Sequence, residues 1–138
     1  APRLSSRGTL MVFNNGLYKA RPFNPRAPDS ETVSGALEYA FDPKTHTAKL
    51  LWSSDAKGPE AVSTFAMGDV EFLPKTGNVM VVYGSAVRMD NGLPWTRVRE
   101  FRRTTPPQVV YDVVLADTSA NPSVSWTAFG GDRIEKLQ

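Results

Sequence analysis

Few side chains in this sequence can do acid–base or nucleophilic chemistry. The 138 residues include one histidine, His46, and no cysteine. That excludes a thiolate nucleophile, a disulfide scaffold and a Cys-ligated zinc site. His46 lies in Asp42-Pro43-Lys44-Thr45-His46-Thr47, a turn segment between two apolar runs, so it is expected at a solvent-facing hairpin tip and not as a nucleophile. The carboxylates are scattered, without the ligand spacing of a zinc or calcium site. No Ser/His/Asp set, phosphate-cradling glycine loop or dinucleotide fingerprint occurs either. No catalytic residue, metal ligand or cofactor is therefore expected within the chain. What remains is cationic. Lys19, Arg21 and Arg26, interleaved with Tyr18 and Phe23, fall in the long stretch from Asn14 to Val33; structureless loops of that length often carry function. Arg97, Arg99, Arg102 and Arg103 form the densest basic cluster. Strand alternation sends Arg97, Arg99 and Arg103 to one face and Arg102 to the other. Such a face would suit a phosphate or sulfate, but the expected role is an outer strand whose edge is guarded by charge.

The elements that must position these groups are strands. Thr9–Phe13, Leu37–Phe41, Lys49–Trp52, Val70–Leu73, Val79–Tyr83, Thr96–Arg103 and Val109–Leu115 are short runs rich in β-branched and aromatic residues. Each is bounded by Gly, Pro, Asn, Asp or Ser. No segment sustains a helical period beyond two turns, so the expected fold class is all-β. Length and a 41% apolar composition fit a globular chain. A net charge of +2 gives little electrostatic drive toward nucleic acid, and no apolar run approaches the roughly 18 residues of a membrane span. Ala1 reads as a cut or processed end.

A repeat is visible. Gly8-Thr9-Leu10-Met11-Val12 returns as Gly77-Asn78-Val79-Met80-Val81, and Glu38-Tyr39 returns as Glu100-Phe101. Two antiparallel four-stranded units follow, about residues 1–54 and 64–116, with Pro2–Ser6 as the only stretch able to open the first. A further strand is expected at about 123–137, broken at Gly130-Gly131. This layout suggests two blades of a β-propeller plus a strand. Closed propellers need roughly four to eight blades, so the chain is expected to be part of something larger. Trp52, Trp95 and Trp126 fall near strand ends, where core packing is the expected role.

Several segments resemble the bacterial arylsulfate sulfotransferase (ASST) family. Leu10-Met11-Val12-Phe13-Asn14-Asn15-Gly16 is similar to its L-V-F-D-N-G strand, with Asn14 in place of the acid. Gly35 to Thr45 followed by Leu50-Leu51-Trp52 resembles its E-Y-x-I-D-P-K-T-G hairpin, with His46 at the turn glycine. Gly68-Asp69-Val70-Glu71-Phe72-Leu73-Pro74 is similar to its G-D-V-Q-x-L-P strand. Trp126-Thr127-Ala128 and Asp132 to Leu137 are similar to a C-terminal family strand.

The resemblance implies the C-terminal part of a six-bladed β-propeller in the periplasm or outside the cell. Its members move a sulfuryl group between phenols through a transiently sulfated histidine, without a nucleotide donor. That histidine is expected in a strand ahead of Ala1, so this chain alone is expected to be inactive and to need further blades, from upstream sequence or a companion chain. Strand-end loops would line the funnel, which makes Asn14, Asn15 and Arg21 the candidate residues for binding a phenolic sulfate. Trp95 is an alternative aromatic platform for the phenol, and Asp69 is expected to bond a neighbouring blade. Two other readings stay open: a non-catalytic propeller scaffold, and a small self-standing β-sandwich that binds a ligand.

Overall fold

The computed structural model describes residues 2–16, 25, 32–55, 61–87 and 92–134. Eight strands account for the regular structure: β1 (Arg3–Leu4), β2 (Leu10–Asn14), β3 (Gly35–Asp42), β4 (Thr47–Ser53), β5 (Asp69–Leu73), β6 (Asn78–Val87), β7 (Pro94–Arg102) and β8 (Gln108–Leu115). The described residues contain no helix. The strands make two four-stranded antiparallel sheets in simple meander order, β1-β2-β3-β4 and β5-β6-β7-β8.

Tight turns with shared chemistry join the strands. Gly8 (φ 75°) and Gly77 (φ 72°) take the left-handed conformation that closes the first hairpin of each sheet, and their amides donate to Ser5 O (3.0 Å) and Leu73 O (2.8 Å). In the β3–β4 turn the left-handed residue is His46 (φ 54°), which is exposed as expected. Asp42 starts that turn: its Oδ1 accepts from the amides of Lys44 (2.8 Å) and Thr45 (3.4 Å).

The sheets pack face to face. Period-2 alternation puts Met11, Phe13, Ala36, Glu38 and Trp52 on one face of the first sheet, and Val70, Phe72, Val79, Val81, Tyr83 and Phe101 on the apposed face of the second. Two edge-to-face aromatic pairs cross the seam, Phe13–Tyr83 (centroids 5.9 Å) and Trp52–Phe101 (6.4 Å). The Trp52 indole Nε1 also donates to the Thr104 carbonyl at 3.0 Å.

A charge sits in the middle of this apolar contact. The Glu38 side chain is fully buried. Its Oε1 accepts from Thr9 Oγ1 at 2.7 Å, and its Oε2 is held by the Arg103 guanidinium of the second sheet. At the inner end of the seam Arg3 of β1 donates to both carboxylate oxygens of Asp69 on β5, at 3.3 and 2.5 Å, the inter-blade bond expected of Asp69.

Three features differ from the sequence-based expectations. Strand β7 is interior, not an outer edge, because β8 pairs along nearly its whole length; Arg97, Arg99 and Arg103 do share one face, but that face is turned toward the first sheet. Residues 123–134 join neither ladder. They run over the second sheet through two isolated amide bonds, Trp126 N to Pro94 O (3.0 Å) and Ala128 N to Gly84 O (2.9 Å). The close pass at Ala128 is possible only because Gly84 has no Cβ. Trp126 is largely exposed, not core.

Cutting the Glu38–Arg103 pair on one side should leave a buried carboxylate uncompensated. Arg103→Met is expected to lower stability by about 3–5 kcal/mol, measured as the shift in urea unfolding midpoint. The double variant Glu38→Leu/Arg103→Met should recover a large part of that loss.

Candidate functional site

The strand ends on one side of the seam carry a concentration of polar side chains. Asn14 closes β2 and Asn15 follows it, where the chain leaves the ladder. Asn14 is exposed, and its Oδ1 accepts from the Gly16 amide at 2.9 Å, forming an Asx turn. Asn15 points the other way in function. Its Nδ2 donates both hydrogens within the protein, to Thr64 Oγ1 (2.8 Å) and to the Met67 carbonyl (3.0 Å). Ser34, buried just before β3, donates to the Asn15 carbonyl at 2.6 Å and accepts from the Thr64 amide at 2.8 Å. Thr64 itself forms an isolated bridge to Ala86 of β6. Asn15, Ser34 and Thr64 thus tie the end of the first sheet to the connector that enters the second.

The connector is locally constrained. Met67 (φ 61°) and Gly68 (φ 135°) both have positive φ, and a Cβ on Gly68 would collide with the Phe13 ring. Glycine at 68 is what lets the backbone pass that ring on its way into β5.

A second cluster lies on the seam face of β7 and β8. Register places Arg97 and Arg99 on one face of β7, with Asp112 directly opposite Arg99 on β8. Arg97 binds Asp112 in bidentate fashion (2.7 and 2.5 Å), and Arg99 Nε adds a third contact at 3.2 Å. Arg99 is fully buried, while Arg97 keeps 20% side-chain exposure. The hydrogen bond from Arg97, reinforced by the Arg99 charge, holds the Asp112 carboxyl below its ordinary 3.8. Tyr83 shares this face, near Ser54, whose Oγ accepts the Ala36 amide at 2.8 Å. Burial pushes the Tyr83 phenol above its ordinary value of 10.0. Beside it, at the irregularity between Tyr83 and Ala86, the buried Ser85 hydroxyl has no hydrogen-bond partner among the described residues.

The candidate binding residues are therefore not gathered into one pocket by what is described. Asn14 presents an exposed amide and Asn15 an internally engaged one, while Arg21 lies outside the described residues, as does most of its loop. Trp95 is half-buried and packs against the core cluster. Among the described residues no group of three or more His, Cys, Asp or Glu is arranged to hold a metal ion, and no helix is long and apolar enough to cross a membrane. Ser34, Ser54 and Thr64 carried no sequence signal, since each acts across a contact that no local pattern reveals. Asp112 was findable in principle: a carboxylate opposite arginine on the next strand is a cross-strand pair.

Two meander sheets of four antiparallel strands, stacked face to face and built on the same turn and pairing scheme, are blades of a β-propeller. The family model for arylsulfotransferase (ASST) matches residues 1–124, and the chain belongs to that family. No curated protein matches the chain.

The Tyr83 environment sets an alkaline limit. In the unfolded chain the phenol ionises near 10, whereas the folded site resists ionisation, so its contribution is complete below that pH and is lost as pH rises through the raised folded value. Tyr83→Phe should change stability by no more than about 1 kcal/mol at neutral pH. Its urea midpoint should then fall less steeply than the wild type's above about pH 10, followed by tryptophan fluorescence.

Proposed function

We propose that this chain supplies two blades of an enzyme that moves a sulfuryl group from a phenolic sulfate ester to a phenol. The observation that carries the reading is the family match over most of the chain. The placement of His46 at an exposed hairpin tip supports the further step that the nucleophile lies on another segment.

In that scheme an imidazole nitrogen outside this chain attacks sulfur. The N–S bond forms as the ester S–O bond breaks, and the departing phenolate takes up a proton. An acceptor phenol then gives its proton to a base and attacks the same sulfur, forming the new S–O bond as the N–S bond breaks. The part assigned to this chain is positional. The exposed Asn14 amide at the strand end and Arg21 further along the chain would offer amide and guanidinium donors to the sulfuryl oxygens, whose charge such donors stabilise, while Asn15, bonded to Thr64 and Met67, would hold that strand end in place. Work in the periplasm or outside the cell belongs to the same proposal.

A second reading has its own support. Asn15 spends both amide hydrogens on Thr64 and Met67, and Arg99 is wholly buried on Asp112, as in a scaffold whose polar groups serve the fold. The protein expressed from its complete gene decides between them. With p-nitrophenyl sulfate as donor and a phenol as acceptor, the enzyme reading expects turnover and a sulfated histidine peptide distinct from the one carrying His46. His46→Ala should keep the rate within about twofold, while Arg21→Ala should lower kcat/KM by about tenfold or more. No turnover, with the protein folded, would leave the scaffold reading.

A further inference from the structure

Each sheet ends, on the side away from β1 or β5, in an edge strand: β4 in the first and β8 in the second. A strand paired on one side only points its remaining backbone N–H and C=O groups outward in the plane of the sheet. Blades stack on the faces of a sheet, so that edge stays open however many blades surround it.

The two edges are built differently. β4 carries Lys49 near its centre, a charge of the kind that discourages pairing between edges. β8 reads Gln108-Val109-Val110-Tyr111-Asp112-Val113-Val114-Leu115, with neither lysine nor proline. Its one charge, Asp112, is already matched within the chain by Arg97 and Arg99. The strand therefore combines high β-propensity with an electrically neutral, unguarded edge.

The described residues after β8 turn away from this edge. Asp117 accepts from the amides of Ser119 (2.9 Å), Ser123 (2.9 Å) and Val124 (3.0 Å), and the chain then crosses the face of the sheet. There Trp126 and Ala128 bond Pro94 and Gly84. Arg133 gives its amide to Glu71 Oε2 (3.2 Å) and its Nη1 to Glu100 Oε2 (2.7 Å). These partners belong to β5, β6 and β7. No described residue extends the ladder beyond β8.

We propose that β8 pairs with β8 of a second copy of this chain, antiparallel, about a two-fold axis normal to the sheet. Such an axis keeps each face on its own side, so opposed residues must share a face. Past the irregularity at Val110, Tyr111, Val113 and Leu115 share the face of Glu100, Val98 and Thr96, while Asp112 and Val114 share that of Arg99 and Arg97. An axis at Tyr111 would bring Val110 into the ladder, and one at Asp112 would oppose two carboxylates. An axis at Val113 avoids both. Val113 then meets Val113, Tyr111 meets Leu115 and Asp112 meets Val114, pairings that suit adjacent strands. Charge favours a like strand as well: Asp112 keeps its own arginines, so a charged partner would gain no ion pair there. The contact is isologous and closes at two copies, and it leaves both faces of the sheet to neighbouring blades.

Sedimentation equilibrium of the protein expressed from its complete gene, across micromolar concentrations, tests this. Wild type should be dimeric. Val113→Cys puts two thiols at the axis, where opposed Cβ atoms lie about 4.5–5.5 Å apart. Mild oxidation should then give a disulfide-linked peptide pair carrying position 113. Val109→Cys, far from its own copy in this register, should cross-link at least about tenfold less. Tyr111→Lys should weaken dimerisation at least about tenfold. Adding Leu115→Glu to the same chain should recover most of that loss, since the lysine then meets a glutamate across the axis. Circular dichroism checks folding, and the small Val113→Cys change decides the matter should a charged variant fail to fold. A wild type monomeric throughout would overturn the proposal. So would a dimer undiminished by Tyr111→Lys, or equal cross-linking at positions 109 and 113.

Discussion

The seam between the two sheets is organised around a carboxylate that cannot be left alone. Glu38 lies among Met11, Trp52 and Phe101 with no exposure to water, where an unpaired charge would be driven out or neutralised. Both of its oxygens are satisfied: Thr9 from its own sheet on one, Arg103 from the other sheet on the second. Apolar side chains alone would tolerate sliding, since hydrophobic attraction has little directional preference. The ion pair does not, and it fixes which part of the second sheet lies over which part of the first. Trp52 benefits from that registry, because its indole N–H reaches the Thr104 carbonyl next to Arg103.

The same logic explains why polar groups at the strand ends are so fully used. Where the chain passes from one sheet to the next, backbone groups leave the ladder and must be paired by other means. Asn15, Ser34 and Thr64 do this by side-chain bonds, and Gly68 does it by conformation, turning past the Phe13 ring where no other residue fits. The placement of the strand end at Asn15 therefore derives from the seam, two links further back in the causal chain.

Much of the fold was legible because strands announce themselves locally. Alternation in Thr9–Phe13 or Val79–Tyr83 requires nothing beyond the residues themselves, and the Gly8/Gly77 and Glu38/Glu100 correspondences were visible as a repeat. What failed to show was anything decided between elements. Whether β7 is an edge depends on β8 beside it and not on its own arginines. Arg103 and Arg133 carry no mark that assigns them to Glu38 and Glu100, because those contacts cross from one segment to another that pattern cannot place. Trp126 follows an apolar pattern like Trp52, yet its segment takes part in no ladder, so it gains no covering layer. At the candidate site the types Asn and Arg were readable from the sequence. The direction of the Asn15 amide was not, since Thr64 and Met67 belong to a connector without periodicity.

Two ion pairs among the described residues close the seam, with opposite relations to water. Arg103 and Glu38 are screened by protein, with side-chain exposures of 19% and 0%. Arg3 at the other end reaches Asp69 with 41% of its side chain in solvent. Mobile ions act strongly on exposed charges and weakly on enclosed ones, over a distance of about 8–10 Å at ordinary ionic strength. Salt therefore loosens the β1 end of the seam while leaving the Glu38 end shut, and the two blades respond to ionic strength as a hinge with one fixed pin.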